Sequence, residues 1–323
     1  MKILCCADLC LGTVCTENLS TERSRKWRTV RMEKLEDLID KASQNHTAYV
    51  ALFGKLFGQE RVTESVIDAL FQAVRSDEHI QTLLFVNYEE YNRLFYRNDK
   101  PENLHLLCTQ SKGGYLDDNL AVEIRQGAVE LLPGRHDPIR AETDADGVVH
   151  LTGLGKARTV PSFEPLGFDD AQGKNFGFGL IEWTDKTPCS YREVENQRYA
   201  YETVEVKILP DDGRKDILRK INSAVGKLDR DSFLHIRLVG RSPFGLTING
   251  DALSAELQSR LFFVEVFDST VMDIDTEAFE SDISLRSEFV RLAMQEDSLS
   301  ETERNRLISC GWVALGGKGG QDA

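Results

Sequence analysis

The sequence predicts an α/β protein with a small α+β unit behind its main domain and helices at its C-terminal end. Three observations carry that reading. Apolar strand-like runs at Met1–Cys6, Ala48–Phe53 and Gln81–Val86 alternate with amphipathic helical patterns at Arg25–Ala42 and Glu64–Val74, the order of a parallel sheet with crossover helices. After Tyr91 the pattern shifts to short strand-like runs separated by turn-rich segments. From Thr203 onward strands and helices alternate again on a smaller scale. The boundaries drawn from this are 1–202, 203–272 and 273–323.

Met1–Cys6 is a short apolar run of the kind buried strands carry. In Arg25–Ala42, Met32, Leu35, Leu38, Ile39 and Ala42 recur at three- and four-residue spacing, and Val66, Ile67, Leu70, Phe71 and Val74 do so in Glu64–Val74. Leu104–Cys108, Leu120–Ile124 and Ala128–Leu132 read as short strands. The polar stretch from Gly134 to Gly147 reads as a loop, with Asp144-Ala145-Asp146-Gly147 as a turn tip between two strands. Asn175–Trp183 and Thr203–Leu209 are further strands. Lys215–Leu228 and Ala252–Leu261 are helices, followed by strands at Phe233–Val239 and Phe262–Phe267. Two helices, Ser284–Gln295 and Ser300–Cys310, close the chain. Ser300 and Glu303 fit a capping box, Gly311 a helix stop, and Gly316 to Ala323 a flexible tail.

The chain has 323 residues, 41% hydrophobic and 28% charged, which is the composition of an ordinary globular protein. No apolar run is long enough to cross a membrane, and Met1 is not followed by a signal-peptide pattern. A cytoplasmic protein with no membrane partner is expected. The formal net charge of −14 disfavours nonspecific nucleic-acid binding outside a local basic patch. Arg23–Arg31, interrupted by Trp27, reads either as such a patch or as a solvated helix face. The seven cysteines include no CxxC pair, so a zinc ribbon is not expected. Cys5 and Cys6 read as strand packing. Cys10 and Cys15 read either as reduced thiols or as a soft metal or redox site.

Asp8 follows the first strand, at the position where open α/β sheets place their ligands. Ala7-Asp8-Leu9-Cys10-Leu11-Gly12 resembles the Asp-x-His-x-Gly motif of calcineurin-like metallophosphoesterases, with Cys10 at the second ligand position. Gly54-Lys55-Leu56-Phe57-Gly58 resembles the family's Gly-Asp-Leu-Phe-Asp, with Lys55 in place of the metal-bridging acid. Glu89 to Asn92, within Asn87–Asn92, falls by spacing where the family has Gly-Asn-His-Asp or Gly-Asn-His-Glu, so that Tyr91 replaces the histidine. Glu89 and Glu90 there read as ligands on their own chemistry or as a solvated loop. Ile124–Gly127 and Gly134–Asp137 either replace the family's His-Gly and Gly-His-x-His motifs, or those motifs are lost. In the second case His136 and His150 are an ordinary loop and strand histidine. Pro161–Asp170, Gly173–Phe178, Arg198-Tyr199 and Ser284–Arg291 are similar, in order, to the downstream frame of the SbcD/YhaO-type exonuclease subunits.

The resemblance implies a metallophosphoesterase-like mixed β-sandwich flanked by helices, a cap, and C-terminal helices that grip an SbcC-like SMC-type ATPase. Active relatives hold two Mn2+ ions. Such pairs sit about 3.5–4 Å apart on a bridging ligand, and a lysine there would repel both cations. No cofactor and no catalytic residue are therefore expected. Asp8, Cys10, Lys55, Glu89, Glu90, Tyr91, His136 and Asp137 are the vestigial or alternative ligand positions, with Lys55 in solvent or, preferably, paired to Asp8. The expected role is a non-catalytic DNA-repair scaffold with Leu285, Phe289 and Leu292 facing the ATPase, and DNA as a further partner. The alternative is a nuclease or phosphodiesterase whose metal set is rebuilt from Asp8, Cys10, Glu89, Glu90, His136 and Asp137.

Overall fold

The computed structural model describes the chain apart from residues 14–20, 59–61, 126, 135, 169–175, 185–188, 195–199, 227, 229–231, 245, 247, 260, 275–281 and 316–323. Cys15, Arg135, Asp169-Asp170, Arg198-Tyr199 and the glycine-rich tail thus lie wholly or partly outside the described residues. Two compact units divide the chain at Arg198/Tyr199.

In the first unit, β1 (Lys2–Ala7), β2 (Tyr49–Phe53), β3 (Gln81–Val86) and β4 (Leu104–Cys108) run parallel, with α1 (Thr21–Gln44), α2 (Glu64–Arg75) and α3 (Tyr88–Phe95) as the intervening helices. A second sheet follows. It is built antiparallel from β5 (Gly113–Leu116), β6 (Ala121–Arg125), β7 (Ala128–Leu132), β8 (Ile139–Thr143), β9 (Val149–Thr152) and β10 (Arg158–Thr159). β11 (Phe178–Glu182) then returns antiparallel to β1, and β12 (Ser190–Val194) pairs outside it. Each sheet has six strands, in the orders β12-β11-β1-β2-β3-β4 and β10-β9-β8-β7-β6-β5. The protein is therefore of the mixed α/β class.

Residue alternation along the strands explains the layering. Ile3, Cys5, Tyr49, Ala51, Leu83 and Phe85 point to one side of the first sheet and meet Val122, Ile124, Val129, Leu131, Ala141 and Leu151 of the second. Leu4, Cys6, Val50, Leu52, Leu84 and Val86 point to the other side and meet Leu35, Leu38 and Ile39 of α1 and Ile67, Leu70 and Phe71 of α2. Cys5 and Cys6 are both fully buried on opposite faces of β1, as strand packing requires.

Two expectations for this unit are corrected. The segment 134–147 contains β8, which alternates Ile139 and Ala141 inward with Arg140 and Glu142 outward. The basic segment of α1 is a solvated face only in part, since Arg23, Trp27 and Arg31 recur every four residues on the buried side. Arg25 and Arg28 alone face solvent fully among its arginines.

In the second unit, β13 (Tyr201–Ile208), β14 (Phe233–Ser242) and β15 (Phe263–Asp268) alternate with α4 (Arg214–Val225) and α5 (Gly250–Gln258), and β16 (Val271–Met272) extends β14's pairing. The unit expected as α+β has wholly parallel pairing, because α4 and α5 carry the chain back before β14 and β15 begin, and β16 continues the direction of β15. α6 (Leu285–Met294) and α7 (Glu301–Ala314) pack together with Met272 of β16. Ser300 and Glu303 form the expected capping box. Gly311 is not a helix stop. It lies inside α7, where an added Cβ would overlap the Phe289 ring. No described helix is long and apolar enough to cross a membrane.

Candidate functional site

The C-terminal ends of β1, β2, β3 and β4 converge on one edge of the first unit, and the loops there are closely tied. At the end of β1 both Asp8 and Cys10 adopt left-handed backbone, with φ of 54° and 44°. Such conformations cost about 1 kcal/mol each for residues with a Cβ. Backbone hydrogen bonds offset that cost. Asp8, Cys10 and Leu11 donate to the carbonyls of Phe53, Lys55 and Leu56 at 2.8–3.0 Å, so the two loops run side by side. The Asp8 carboxylate closes the arrangement, with Oδ1 accepting the Lys55 backbone N–H at 3.0 Å. Gly54, at φ +74°, is needed below it because a Cβ would collide with that oxygen.

Behind this edge, α1 holds the β1 loop from the buried side. The Arg31 guanidinium donates to the Leu9 carbonyl at 3.0 Å and to the Pro165 carbonyl at 2.7 Å. Lys34 and Glu164 form a buried ion pair one turn away. Phe163 and Phe168 are buried in the same strap, and Phe168 meets Trp27 edge-on.

The cleft at this edge has a volume of about 440 Å3. Asp8, Lys55, Asn87, Thr109, Gln110, Thr143 and Asp144 supply its polar lining, and Phe53, Phe85, Val129 and Val149 are among its apolar walls. The Lys55 side chain is exposed, and no ion pair joins it to Asp8. The expected Asp8–Lys55 pair is thus corrected: the contact runs through the Lys55 backbone N–H, and the Lys55 side chain makes no ion pair with Asp8. Asp144 is fully engaged. Its Oδ1 accepts the N–H groups of Asp146 and Val148, both at 2.9 Å, and its Oδ2 lies 2.7 Å from His150 Nε2. That histidine contact, with the Val148 N–H, holds the Asp144 carboxyl below the usual range.

The other expected ligand positions do not converge on the cleft. Cys10 is buried, and burial pushes its thiol up to about 11 despite the Arg31 charge nearby. Glu89 is exposed on the first turn of α3. Glu90 is corrected from a solvated loop position to a buried one. Its Oε1 accepts the N–H groups of Leu56 at 3.0 Å and Phe57 at 2.9 Å. Its Oε2 reaches the Asn87 N–H at 3.4 Å. Burial raises the Glu90 carboxyl above its ordinary range against these hydrogen bonds. Tyr91 stacks on Phe95 with ring centroids 5.3 Å apart and packs on the core. His136 and Asp137 sit in the connection between β7 and β8 and are not among the lining residues. Among the described residues, no three His, Cys, Asp or Glu side chains form a group that could hold a metal ion. The donor set at the cleft, with Lys55 in it and Glu90 turned onto backbone amides, does not fit a two-metal centre.

In the second unit Leu285 and Leu292 are exposed on α6, while Phe289 is half-buried against Gly311. The sequence gives no mark of Gln110 or Thr143, and it shows Asn87 and Asp144 in a motif and a turn without assigning them to a cleft. The signal for Asn87 was present: Asn87-x-x-Glu90 is the pattern of a capping box, which both residues form at the start of α3.

The fold and the site define an α/β sandwich with a polar cleft at the ends of its parallel strands. Compared with known proteins, the chain matches no family model, and no curated sequence matches it.

Proposed function

We propose that this chain is a non-catalytic relative of the calcineurin-like metallophosphoesterases, of the SbcD type, acting as a scaffold with an SbcC-like SMC-type ATPase. The observation that carries the reading is the loop after β2. The resemblance puts a metal-bridging acid at position 55, and the chain has an exposed lysine there whose backbone is clasped by Asp8. The candidate carboxylate Glu90 is spent on the amides of Leu56 and Phe57. A two-metal mechanism needs a bridging ligand and several terminal ones, and this edge offers Asp8. The exposed Leu285 and Leu292, about two helical turns apart on α6, support a partner surface on the second unit.

Manganese titration of the purified chain by calorimetry, with a nuclease assay on linear DNA, tests the catalytic half. No stoichiometric binding and no cleavage are expected, and tight binding with metal-dependent cleavage would overturn the reading. Co-elution with an SbcC-like ATPase in size-exclusion chromatography tests the partner half. Leu285→Glu with Leu292→Glu is expected to abolish it, and absence of co-elution for the parent chain removes the scaffold role.

A further inference from the structure

The sheet of the second unit is open along β13. That strand has eight residues, contains no proline and keeps one continuous register with β14, from Tyr201 opposite Phe233 to Ile208 opposite Gly240. Among the described residues β14 is its one hydrogen-bonded neighbour. The Phe233 N–H donates to the Ala200 carbonyl at 2.8 Å. In this parallel ladder the even-numbered residues of β13 therefore bond to β14, and Thr203, Glu205 and Lys207 turn their backbone groups to the open side. The opposite edge of the sheet is guarded: α5 lies beside β15, and Ser254 Oγ accepts the Val266 N–H at 2.8 Å. On β13, Lys220 Nζ reaches the Lys207 carbonyl at 3.2 Å, and a carbonyl oxygen keeps a second lone pair. A regular edge of this length is a template for another strand.

The side chains decide which strand it takes. Val204, Val206 and Ile208 pack on the side of α4 and α5. Alternation puts Thr203, Glu205 and Lys207 on the other face, where all three are exposed and Glu205 Oε1 lies 3.8 Å from Arg237. A lone lysine on an edge discourages pairing. Here an acid stands two residues before it, with its backbone turned to the same side, and Glu-x-Lys is complementary to itself when two copies run antiparallel. With Val206 on the twofold axis, Glu205 stands opposite the partner's Lys207 and Lys207 opposite the partner's Glu205. Symmetry forms both ion pairs at once, and the same two residues exchange backbone hydrogen bonds in that register. Moving the axis to residue 205 or 207 sets glutamate against glutamate or lysine against lysine, and like charges directly opposite are destabilising. The overlap spans residues 204–208, which places the contact among small, transient interfaces.

We propose that β13 is a homodimerisation edge: two copies of the chain join the sheets of their second units through antiparallel β13 strands, in the register that pairs Glu205 with the partner's Lys207. This is independent of the reading of the cleft and of the surface on α6.

The test is sedimentation velocity of the full chain over a concentration series from about 1 μM to about 1 mM. A concentration-dependent monomer–dimer equilibrium is expected. Glu205→Lys and Lys207→Glu each create two like-charge contacts and are expected to weaken self-association about tenfold. Both side chains are exposed, so thermal melting is expected to stay unchanged. An equimolar mixture of the two variants should recover the affinity of the parent, because every lysine then faces a glutamate. The double variant Glu205→Lys with Lys207→Glu should recover it alone. A parent that stays monomeric throughout would overturn the pairing and leave the edge to a different chain. A dimer that survives both single variants would place the contact elsewhere on the molecule and overturn this edge. Failure of both the mixture and the double variant to restore the dimer would overturn the register and with it the proposal.

Discussion

The Glu90 carboxylate stands 2.9 Å from the backbone nitrogen of Phe57. Through that contact and its twin at Leu56, a helix that follows β3 fixes the loop that follows β2. Truncation by Glu90→Ala would strand buried N–H groups, at a cost of about 2–4 kcal/mol, read by urea denaturation. Glu90→Gln retains an acceptor for both amides and is expected to cost less than about 1 kcal/mol. The two variants also differ in pH dependence. Burial raises the native carboxyl above its ordinary value of 4.5, so in the window above that value the native state binds more protons than the unfolded state. Stability in the parent therefore falls as pH rises through the window, because the protonated form is the one the fold favours. The fall contributed by this group should vanish in Glu90→Gln. An identical slope in both proteins would show that the carboxyl is not perturbed.

Gly54 tests the other side of the same loop. Its φ of +74° and the crowding against Asp8 Oδ1 act together. Gly54→Ala should cost about 2–4 kcal/mol, combining left-handed backbone strain with overpacking. Gly127 is an internal control, since its φ is +83° but nothing lies within 4 Å of an added Cβ. Gly127→Ala should pay only the backbone share, about 1 kcal/mol. Adding Asp8→Ala to Gly54→Ala should recover the crowding share and not the backbone share. Equal costs at the two glycines would dismiss the contact with Asp8.

The same loop shows why the fold was more legible than the site. The parallel strands and the helices α1 and α2 are visible in the sequence because each carries an unbroken apolar run or a three-to-four spacing. β8 was hidden because only Ile139 and Ala141 face inward in a stretch otherwise rich in polar and turn residues. α3 resembles a loop in the sequence because Glu89-Glu90 looks like solvated charge, whereas Glu90 points into a nest of backbone amides contributed by residues 33 and 34 positions away. The Arg31 contacts with Leu9 and Pro165 are hidden for the same reason: a buried guanidinium serving loop carbonyls has no signature in its neighbours. Local periodicity reports on elements, while the cleft depends on pairings between loops far apart in the chain.

Gly311 and Phe289 pose a test in which two effects oppose each other. Helix propensity alone would make Gly311→Ala stabilising by about 1 kcal/mol, because glycine is a poor helix former. The Phe289 ring occupies the space an added Cβ would need. Overpacking of this kind costs about 1–3 kcal/mol, so a net loss is expected in thermal melting. In a Phe289→Ala background the same substitution should turn stabilising, a coupling that a double-mutant cycle measures directly. A gain in the parent background would mean the ring moves aside at no cost.

Cysteine labelling separates the thiols by burial. Cys5, Cys6 and Cys10 are buried, whereas Cys310 is exposed. Burial is the largest influence on Cys10, and neither Arg31 nor Lys55 offsets it, so that its thiol titrates at about 11. At pH 8 roughly one Cys10 in a thousand is then a thiolate, the form that reacts with alkylating agents and binds soft metals. The Cys5 thiol, which donates to the Gly179 carbonyl at 3.3 Å, is pushed up to about 12. Brief iodoacetamide treatment at pH 8 followed by peptide mapping should modify Cys310 and leave Cys5, Cys6 and Cys10 intact. All four should react in denaturant, where burial no longer protects the thiols. Labelling of native Cys10 as fast as Cys310 would restore the redox or soft-metal reading of the β1 loop, because it would require both access to the thiol and a depressed pKa at a position where the fold provides neither.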